Sequence, residues 1–320
     1  MSASAVPDLI KPPSRIRIAS RESRLAMAQS EWTAAKLRAL YPAAVIEIIG
    51  MTTKGDQILD RPLAQIGGKG LFIKELETAI EEGRADIAVH SMKDVPMNLP
   101  DGFSAIVVGE REDIHDALVS NRFASIDELP QGAIVGTSSL RRESQLRHLR
   151  PDLKIEALRG NVNTRLAKLD AGQYDAIILA AAGLKRLGMA NRIRAVLDKT
   201  NFLPAIAQGA LGIEYRSDRA DIAQWLAPFA HADTTSIVDA ERALGRALTA
   251  SCDVPLGGSA HLQNGTLIVE GFIAMTDGSQ MLRDSVSGDP ADAEKLGLAL
   301  AQKLLSAGGD KILASLSRNG

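Results

Sequence analysis

The chain has 320 residues, 45% of them hydrophobic and 24% charged, which is typical of soluble globular proteins and predicts two or three domains. Its 37 Lys and Arg residues nearly balance 39 Asp and Glu residues, so the net charge of -2 excludes a globally basic nucleic-acid-binding protein. A single cysteine excludes an intramolecular disulfide, and no apolar run has the roughly 18 residues that a membrane helix needs. We therefore expect a cytoplasmic protein with no membrane partner.

Residues 1–14 contain three prolines and no apolar signal core, and we predict a flexible tail there. A strand is predicted at 15–19, followed by a helix in which Leu25, Ala28, Trp32, Ala35 and Ala39 recur at helical spacing. Further short strands are predicted at 45–49, 86–90, 133–136, 154–158 and 175–180, most of them followed by helices. Strands that alternate with helices predict an α/β fold with parallel sheets covered on both faces.

The last 90 or so residues follow a different pattern. A helix is predicted at 234–248, and Asn264-Gly265 is a strong two-residue hairpin turn between apolar runs. A second turn at 276–279 leads to another strand, and helical spacing returns at 291–305. This pattern predicts a separate α+β domain with a small antiparallel sheet, and Cys252 belongs to it.

Basic and hydroxyl side chains follow the predicted strands directly. In open α/β sheets, ligands bind beyond the carboxyl ends of strands, where helix N-termini present free N–H groups. One such arginine is most often a solvated surface residue, but the joint pattern favours a crevice for several anionic groups. The side chains concerned are Arg21, Ser23, Ser91, Lys93, Asp94, Thr137, Ser138, Ser139, Arg141, Arg142, Arg159, Arg165, Lys185 and Arg186.

The arginines favour carboxylates, because a guanidinium matches a carboxylate with two parallel hydrogen bonds. Gly67-Gly68-Lys69-Gly70 is similar to a phosphate loop, but Leu71 stands where that loop needs Ser or Thr, so a nucleoside triphosphate is not expected. Five scattered histidines and the lack of a Cys-x-x-Cys motif predict no metal site. Considered alone, Cys252 is more often an inert core residue than a nucleophile.

These residues coincide with motifs of a known family. From Ile16 to the final helix the chain resembles porphobilinogen deaminases, and the long motifs occur in the same order. They are 18–23 (IASRES), 67–72 (GGKGLF), 90–96 (HSMKDVP), 136–142 (GTSSLRR), 158–162 (LRGNV), 182–188 (AGLKRLG), 208–210 (QGA) and 250–255 (ASCDVP).

The resemblance implies three domains. Two are similar to a periplasmic binding protein and enclose a central cleft, and a smaller α+β domain carries the cofactor cysteine. The expected ranges are 15–110 plus 205–230 for domain 1, 111–204 for domain 2 and 231–320 for domain 3. The chain then crosses between the first two domains near Gly109 to Asp113 and near Pro204 to Gln208, where paired segments act as hinges.

The resemblance also implies a transferase of tetrapyrrole and heme biosynthesis. Such an enzyme joins four porphobilinogen molecules head to tail with loss of ammonia, on a dipyrromethane cofactor held by a thioether to Cys252, and releases hydroxymethylbilane. Cofactor binding is then expected from Ser91, Lys93, Thr137, Ser138, Ser139, Arg141 and Arg142. Substrate binding is expected from Arg21, Ser23, Lys69, Phe72, Arg159, Arg165, Arg186 and Gln208.

Asp94 is the expected catalytic residue. Loss of ammonia leaves an electrophilic pyrrole whose positive charge is shared with the ring nitrogen. One carboxylate that accepts hydrogen bonds from pyrrole N–H groups stabilises that charge where it develops. Neutralising Asp94 should therefore lower the rate far more than it weakens binding.

The sequence departs from the family pattern at Arg24, Gln65 and Ala250-Ser251, none of which is assigned chemistry. Two other classes of protein fit parts of this pattern. A non-catalytic cytoplasmic anion-binding module does not explain the third domain with its cysteine. The effector domain of a transcription regulator needs an N-terminal helix-turn-helix, for which the first strand begins too early. We expect a monomer.

Overall fold

Three β-sheets organise the chain, and the computed structural model describes residues 11–57, 72–248 and 254–318. The strands are β1 (Arg15–Arg21), β2 (Val45–Met51), β3 (Ile87–Ser91), β4 (Phe103–Val108), β5 (Asp116–Val119), β6 (Ile134–Gly136), β7 (Lys154–Glu156), β8 (Ala176–Ala180), β9 (Ala195–Val196), β10 (Leu211–Arg216), β11 (Leu256–Gln263), β12 (Thr266–Ala274) and β13 (Met281–Gly288). The helices are α1 (Arg24–Leu40), α2 (Lys54–Gln57), α3 (Lys74–Glu81), α4 (Leu140–Leu149), α5 (Val162–Asp170), α6 (Ala181–Arg186), α7 (Ala220–Leu226), α8 (Ala232–Ala247), α9 (Ala293–Leu304) and α10 (Asp310–Arg318).

The first two sheets share one plan. The first has the strand order β2-β1-β3-β10-β4, and the second has the order β7-β6-β8-β5-β9. In each, three parallel strands are followed by one antiparallel strand and a further edge strand. The α/β class is confirmed, but the prediction of parallel sheets was wrong for these antiparallel strands, which return from the other sheet rather than from a local helix.

Each sheet is buried on both faces, as predicted. Ile16 and Ile18 of β1 pack in one apolar cluster with α1, and Ala19 packs in another with α3, because alternate residues of a strand point to opposite faces. The second sheet separates two further clusters in the same way, one around Leu146 and one around Leu184. Helices therefore cover both sheets and leave their strand ends accessible.

The helix predicted after the first strand is confirmed, but the side it buries is not the apolar stripe noted above. Trp32 is 39% exposed, whereas Gln29, Ser30 and Thr33 are buried. These polar residues are satisfied inside the protein: Ser30 Oγ lies 2.8 Å from Ser20 Oγ and the Thr33 hydroxyl donates to the Gln29 carbonyl. The spacing of apolar residues correctly predicted a helix, but the apolar residues themselves do not mark the face of that helix that is buried.

The chain passes between the first two sheets twice. β4 of the first sheet is followed by β5 of the second, and β9 of the second is followed by β10 of the first. The two passing segments touch, since the Glu112 amide donates to the Gly209 carbonyl at 3.2 Å. These positions agree with the two expected crossings, and the domain boundaries themselves stay a prediction.

The third sheet is antiparallel and packs against α8 and α9 around Leu244, Leu300 and Val269. The hairpin turn is found where predicted, with positive φ at both Asn264 (51°) and Gly265 (78°), as a type I′ turn requires. Both predicted helices of this region are also present, as α8 and α9. The α+β character of the C-terminal region is confirmed.

Several expectations concern residues outside the described ranges: the tail over residues 1–10, the loop with Gln65 and Lys69, and the segment 249–253 with Ala250, Ser251 and Cys252. None of the helices in the described ranges is long and apolar enough to cross a membrane.

Candidate active site

Two adjoining pockets lie at the strand ends between the first two sheets. The larger spans about 490 Å3, part of it open to solvent, and is lined from the first sheet by Ser91 and Lys93 and from the second by Arg142, Arg165 and Arg186. The smaller encloses about 280 Å3 and is lined by Arg21, Phe72, His90, Ser91 and Asp94. Ser91 belongs to both, so the pockets form one cleft.

Asp94 is held at the cleft by a short turn. β3 ends at Ser91, and residues Met92–Asp94 form a single 3₁₀ turn that places the Asp94 carboxylate at the surface of the smaller pocket. Met92 anchors this turn from below, where it is buried. A Cβ on Gly212 would stand 2.1 Å from the Met92 sulfur, so the glycine in β10 leaves the space that the anchor needs.

Lys93 points into the larger pocket, and its Nζ donates to Gln208 Oε1 at 3.3 Å. Burial lowers the pKa of the Lys93 ammonium to about 8, and the charges of Arg142 and Arg141 act in the same direction, while Asp94 and Asp116 oppose it. An anion bound here would restore the charged form. Lys93 therefore lines the larger pocket, and its expected role in cofactor binding stays a prediction.

Arg141 and Arg142 begin α4, and both are bound to the buried Asp116 at the start of β5. The ion pairs measure 2.7 and 2.6 Å, and Arg142 also donates to the Ile178 carbonyl at 2.9 Å. Burial raises the pKa of the Asp116 carboxyl, but the two guanidiniums outweigh it and hold that pKa well below its usual range. Arg142 lines the larger pocket, whereas the Arg141 Nη1 contacts are Asp116 and the Leu203 carbonyl.

Three more arginines lie around this end of the second sheet. Arg165 donates to the Gly160 carbonyl at 2.7 Å, and Arg186 donates to the Gly209 carbonyl at 2.7 Å. Burial and then the charges of Arg142 and Arg159 lower the pKa of Arg165 to about 10, with Asp94 opposing. Burial also lowers the pKa of Arg186. Neighbouring positive charges repel one another, and a ligand with several carboxylates would relieve that repulsion, so this pocket suits such a ligand.

The expected hydroxyl residues mainly hold local structure. Ser138 Oγ donates to the Leu158 carbonyl and accepts from the Leu158 amide, each at 3.0 Å. Thr137 Oγ1 accepts from the amide of Ser139, which is the N-cap of α4. Ser23 is likewise the N-cap of α1, with its hydroxyl 3.4 Å from the Ala26 amide. These bonds fix the loops that carry the arginines.

Arg21 and Phe72 meet in the smaller pocket. The Arg21 guanidinium lies 4.2 Å from the centre of the Phe72 ring and forms a two-point ion pair with Asp56. Burial raises the pKa of the Asp56 carboxyl, but its hydrogen bonds to Arg21 and Thr53 lower it further than burial raises it. Lys69, expected beside them, lies outside the described residues.

Three residues of this cleft were missed in the sequence. The first is Asp116, which begins the apolar strand β5. It is joined to Lys93 through Gln208, a residue that was predicted for the site. Asp56 is the partner of Arg21, and Gln29 donates to Ser91 Oγ at 2.7 Å from the buried side of α1. Only Asp116 had a visible signal, a carboxylate opening a buried strand. Within the described residues, no group of three or more His, Cys, Asp or Glu side chains is arranged so that it could hold a metal ion.

Comparisons with known proteins agree with this geometry. Residues 16–224 match the family model "Porphobilinogen deaminase, dipyromethane cofactor binding domain", and residues 235–306 match "Porphobilinogen deaminase, C-terminal domain". The porphobilinogen deaminase of Methylobacillus flagellatus is 57% identical over 95% of this chain and 98% of its own length. That of Chromobacterium violaceum is 60% identical over 94% of this chain and 98% of its own length.

Among solved structures, the fold is similar to the periplasmic aliphatic sulphonate binding protein of Escherichia coli. The TM-score is 0.41 and the identity 16%, over 75% of this chain and 72% of that protein.

Proposed function

The chain belongs to the porphobilinogen deaminase family, and from this membership we propose how its own residues perform the reaction. The reaction is the deaminating, head-to-tail joining of four porphobilinogen molecules, with release of hydroxymethylbilane. The observation that carries the proposal is the cleft in which one exposed carboxylate, Asp94, lies beside a group of buried cations.

The described cleft fits a dipyrromethane. This group bears acetate and propionate carboxylates, and burial together with the charge of Arg142 lowers the pKa values of Lys93 and Arg165 in the larger pocket, so bound carboxylates would stabilise the charged forms of these two residues. When bound through a thioether to Cys252, the group would supply the nucleophilic pyrrole carbon to which substrate is joined. Lys93, Arg142, Thr137, Ser138 and Ser139 would hold its carboxylates or the loops around them.

Substrate would bind in the smaller pocket. There Arg21 would bind a substrate carboxylate and Phe72 would stack on a pyrrole ring, which their shared position in this pocket supports. Arg159, Arg165 and Arg186 would bind the side chains of the growing product, with Ser23, Lys69 and Gln208 supporting them. Arg141, which is bound to Asp116, would belong with Arg142 to the cofactor-binding residues.

Asp94 would act on both pockets. It lines the smaller pocket, and its charge also acts on Lys93 and Arg165 of the larger one. An acceptor at that junction can hydrogen-bond pyrrole N–H groups on either side of the bond being formed. It would stabilise positive charge on the substrate ring as ammonia departs. We further propose that the enzyme is a cytoplasmic monomer that binds no nucleic acid, and that the segments near Gly109 to Asp113 and Pro204 to Gln208 act as hinges.

The test is the intact mass of the purified protein under denaturing conditions, followed by identification of the modified peptide. We expect a mass excess equal to one dipyrromethane, carried by the peptide that contains Cys252. The matched control is Cys252→Ser, which should show the unmodified mass after incubation with porphobilinogen.

An unsubstituted chain that stays unmodified after the same incubation would contradict the proposal. The interpretation as a non-catalytic anion-binding module would then replace it.

A further inference from the structure

Three titratable side chains with no part in the proposed chemistry meet beneath the smaller pocket. His90 of β3 lines that pocket, and its Nε2 lies 2.8 Å from Glu214 Oε2 on β10. Glu77 of α3 lies within hydrogen-bonding reach of Glu214. The His90 and Glu214 side chains are 5% and 0% exposed. We refer to Glu77, Glu214 and His90 as the acid network.

The sheet register explains why these residues meet. In the antiparallel pairing of β3 with β10, His90 lies opposite Gly212 and Glu214 lies opposite Ala88. His90 and Glu214 are therefore diagonal neighbours on one face of the sheet. That face is covered by α3, because Ala88 packs in one cluster with Leu76 of this helix. The space beside Gly212, opposite His90, is occupied by the Met92 side chain.

The charges of the acid network require a proton. Two carboxylates repel each other and cannot hydrogen-bond unless one of them is protonated. Glu214 Oε1 is buried and has no hydrogen-bond partner among the described groups. Burial, followed by the charge of Glu214, raises the pKa of the Glu77 carboxyl to about 7. A protonated Glu77 would supply the missing donor.

The surrounding charges do not remove this requirement. His90 lowers the pKa of Glu77, and Glu81, one turn further along α3, raises it. The cations on the strands next to α3 are engaged by other carboxylates. These pairs are Arg17 with Asp86, Arg21 with Asp56 and Arg216 with Asp218.

We propose that Glu77 and Glu214 share one proton, and that the pair positions His90 with its Nε2–H donating to Glu214, at the wall of the pocket next to Asp94. The pair itself is independent of the reaction, and only its role at a substrate pocket rests on the proposed function. Loss of the proton leaves the half-buried Glu77 carboxylate beside the buried Glu214 carboxylate. Either His90 must then become positively charged or α3 must move away from the sheet, and both change the wall of the pocket.

The sign of the pH effect follows from the raised pKa. Glu77 has an ordinary pKa of 4.5 when unfolded and about 7 when folded, so its stabilising contribution is complete below pH 4.5. That contribution is lost as the pH rises through 7. Glu77→Gln keeps an N–H donor to Glu214 at every pH and removes the ionisation.

The experiment compares the melting temperature of the full chain between pH 5 and pH 8. We expect the Tm of the unsubstituted protein to fall by about 2–4 °C relative to that of Glu77→Gln across this range. The control is Glu82→Gln, an exposed carboxyl at the end of the same helix, which should follow the unsubstituted protein. Parallel curves for the unsubstituted protein and Glu77→Gln would overturn the proposal.

A second measurement is the nitrogen-15 NMR titration of the histidine rings, which is feasible because the chain has five. We expect the neutral His90 ring to carry its hydrogen on Nε2, with a signal that responds near pH 7 in the unsubstituted protein and not in Glu77→Gln. If the variant fails to fold, the pH titration of the Glu77 carboxyl carbon signal in the unsubstituted protein tests the proposal instead. A midpoint near the ordinary value of about 4.3 overturns the proposal. Neither measurement depends on turnover, so loss of the catalytic assignment would leave both results interpretable.

Discussion

At the scale of single residues, the cations of the cleft differ in whether a carboxylate of the protein already partly neutralises them. The Asp116 carboxylate takes up Arg141 and Arg142 inside the second sheet, and Asp56 takes up Arg21. Lys93 instead donates to the side-chain amide oxygen of Gln208, and Arg165 donates to the Gly160 carbonyl. Bound carboxylates are therefore expected to matter most to these two.

Asp94 provides the catalytic prediction. Asp94→Asn keeps the size of the side chain but removes its charge, so we expect kcat to fall at least about 100-fold with little change in KM. Steady-state kinetics with porphobilinogen measure both constants. Asp101→Asn, which changes an exposed carboxylate further along the same segment, is the control and should leave kcat unchanged. A raised KM with an unchanged kcat would instead assign Asp94 to binding.

The cleft could be predicted from the sequence because basic and hydroxyl residues recur directly after the predicted strands. Their partners could not be predicted, since Asp116, Asp56 and Gln29 come from distant parts of the chain and are joined to the site only by tertiary packing. The sequence likewise showed Arg141 and Arg142 as an equivalent pair. Only the direction of each side chain from α4 separates the one that lines the larger pocket from the other.

At the scale of elements, the two crossing segments depend on a glycine. Gly209 has φ of 90°, in the left-handed region, and a Cβ there would lie 2.3 Å from the Glu112 carbonyl oxygen of the other segment. The added Cβ would meet a backbone oxygen, so no side-chain movement of Glu112 can relieve the clash. The sequence motif 208–210 marked this position, and the geometry supplies its reason.

Gly209→Ala should therefore destabilise the protein by about 3 kcal/mol, through backbone strain together with the clash at Glu112. Urea unfolding at equilibrium measures the change. Gly172→Ala is the matched control, because Gly172 has φ of 75° but open space around the added Cβ, so it reports strain alone. Equal losses in the two variants would show that the crossing segments separate without cost.

Helices, strands and turns were predicted well where the local sequence pattern is strong and poorly where it is weak. The Asn264-Gly265 turn and α8 were located within a few residues, because turn chemistry and helical spacing are local. β10 was not predicted, because its partners β3 and β4 lie more than a hundred residues earlier. Nor could its antiparallel direction be inferred from a pattern that alternates strands with helices.

At the scale of the whole molecule, α8 joins the third sheet to both crossing segments. Glu241 forms a two-point ion pair with Arg111 at 2.6 and 2.9 Å and accepts from the Ala207 and Ala260 amides. The next residue, Arg242, donates to the carbonyls of residues 95–97, just after Asp94. Helix α8 thus contacts both crossing segments and the residues that follow the Asp94 turn.

Glu241→Gln should destabilise the protein by about 3–5 kcal/mol, because it leaves the Arg111 guanidinium buried without its countercharge. Chemical unfolding provides the measurement. Glu294→Gln removes the partner of Arg246 on the same helix but at the surface, and should cost less than about 1 kcal/mol. A loss as small as that of the control would mean that water reaches Arg111.

The position of β10 also has a consequence for how the protein is made. This strand lies between β3 and β4, yet the ribosome synthesises it only after every strand of the second sheet. The second sheet, contiguous from β5 to β9, can therefore complete itself first, while β3 and β4 wait with exposed edges that other chains could pair with. The first sheet is thus completed only after the second, although four of its five strands are synthesised earlier, and its open edges are where a chaperone would protect the nascent chain.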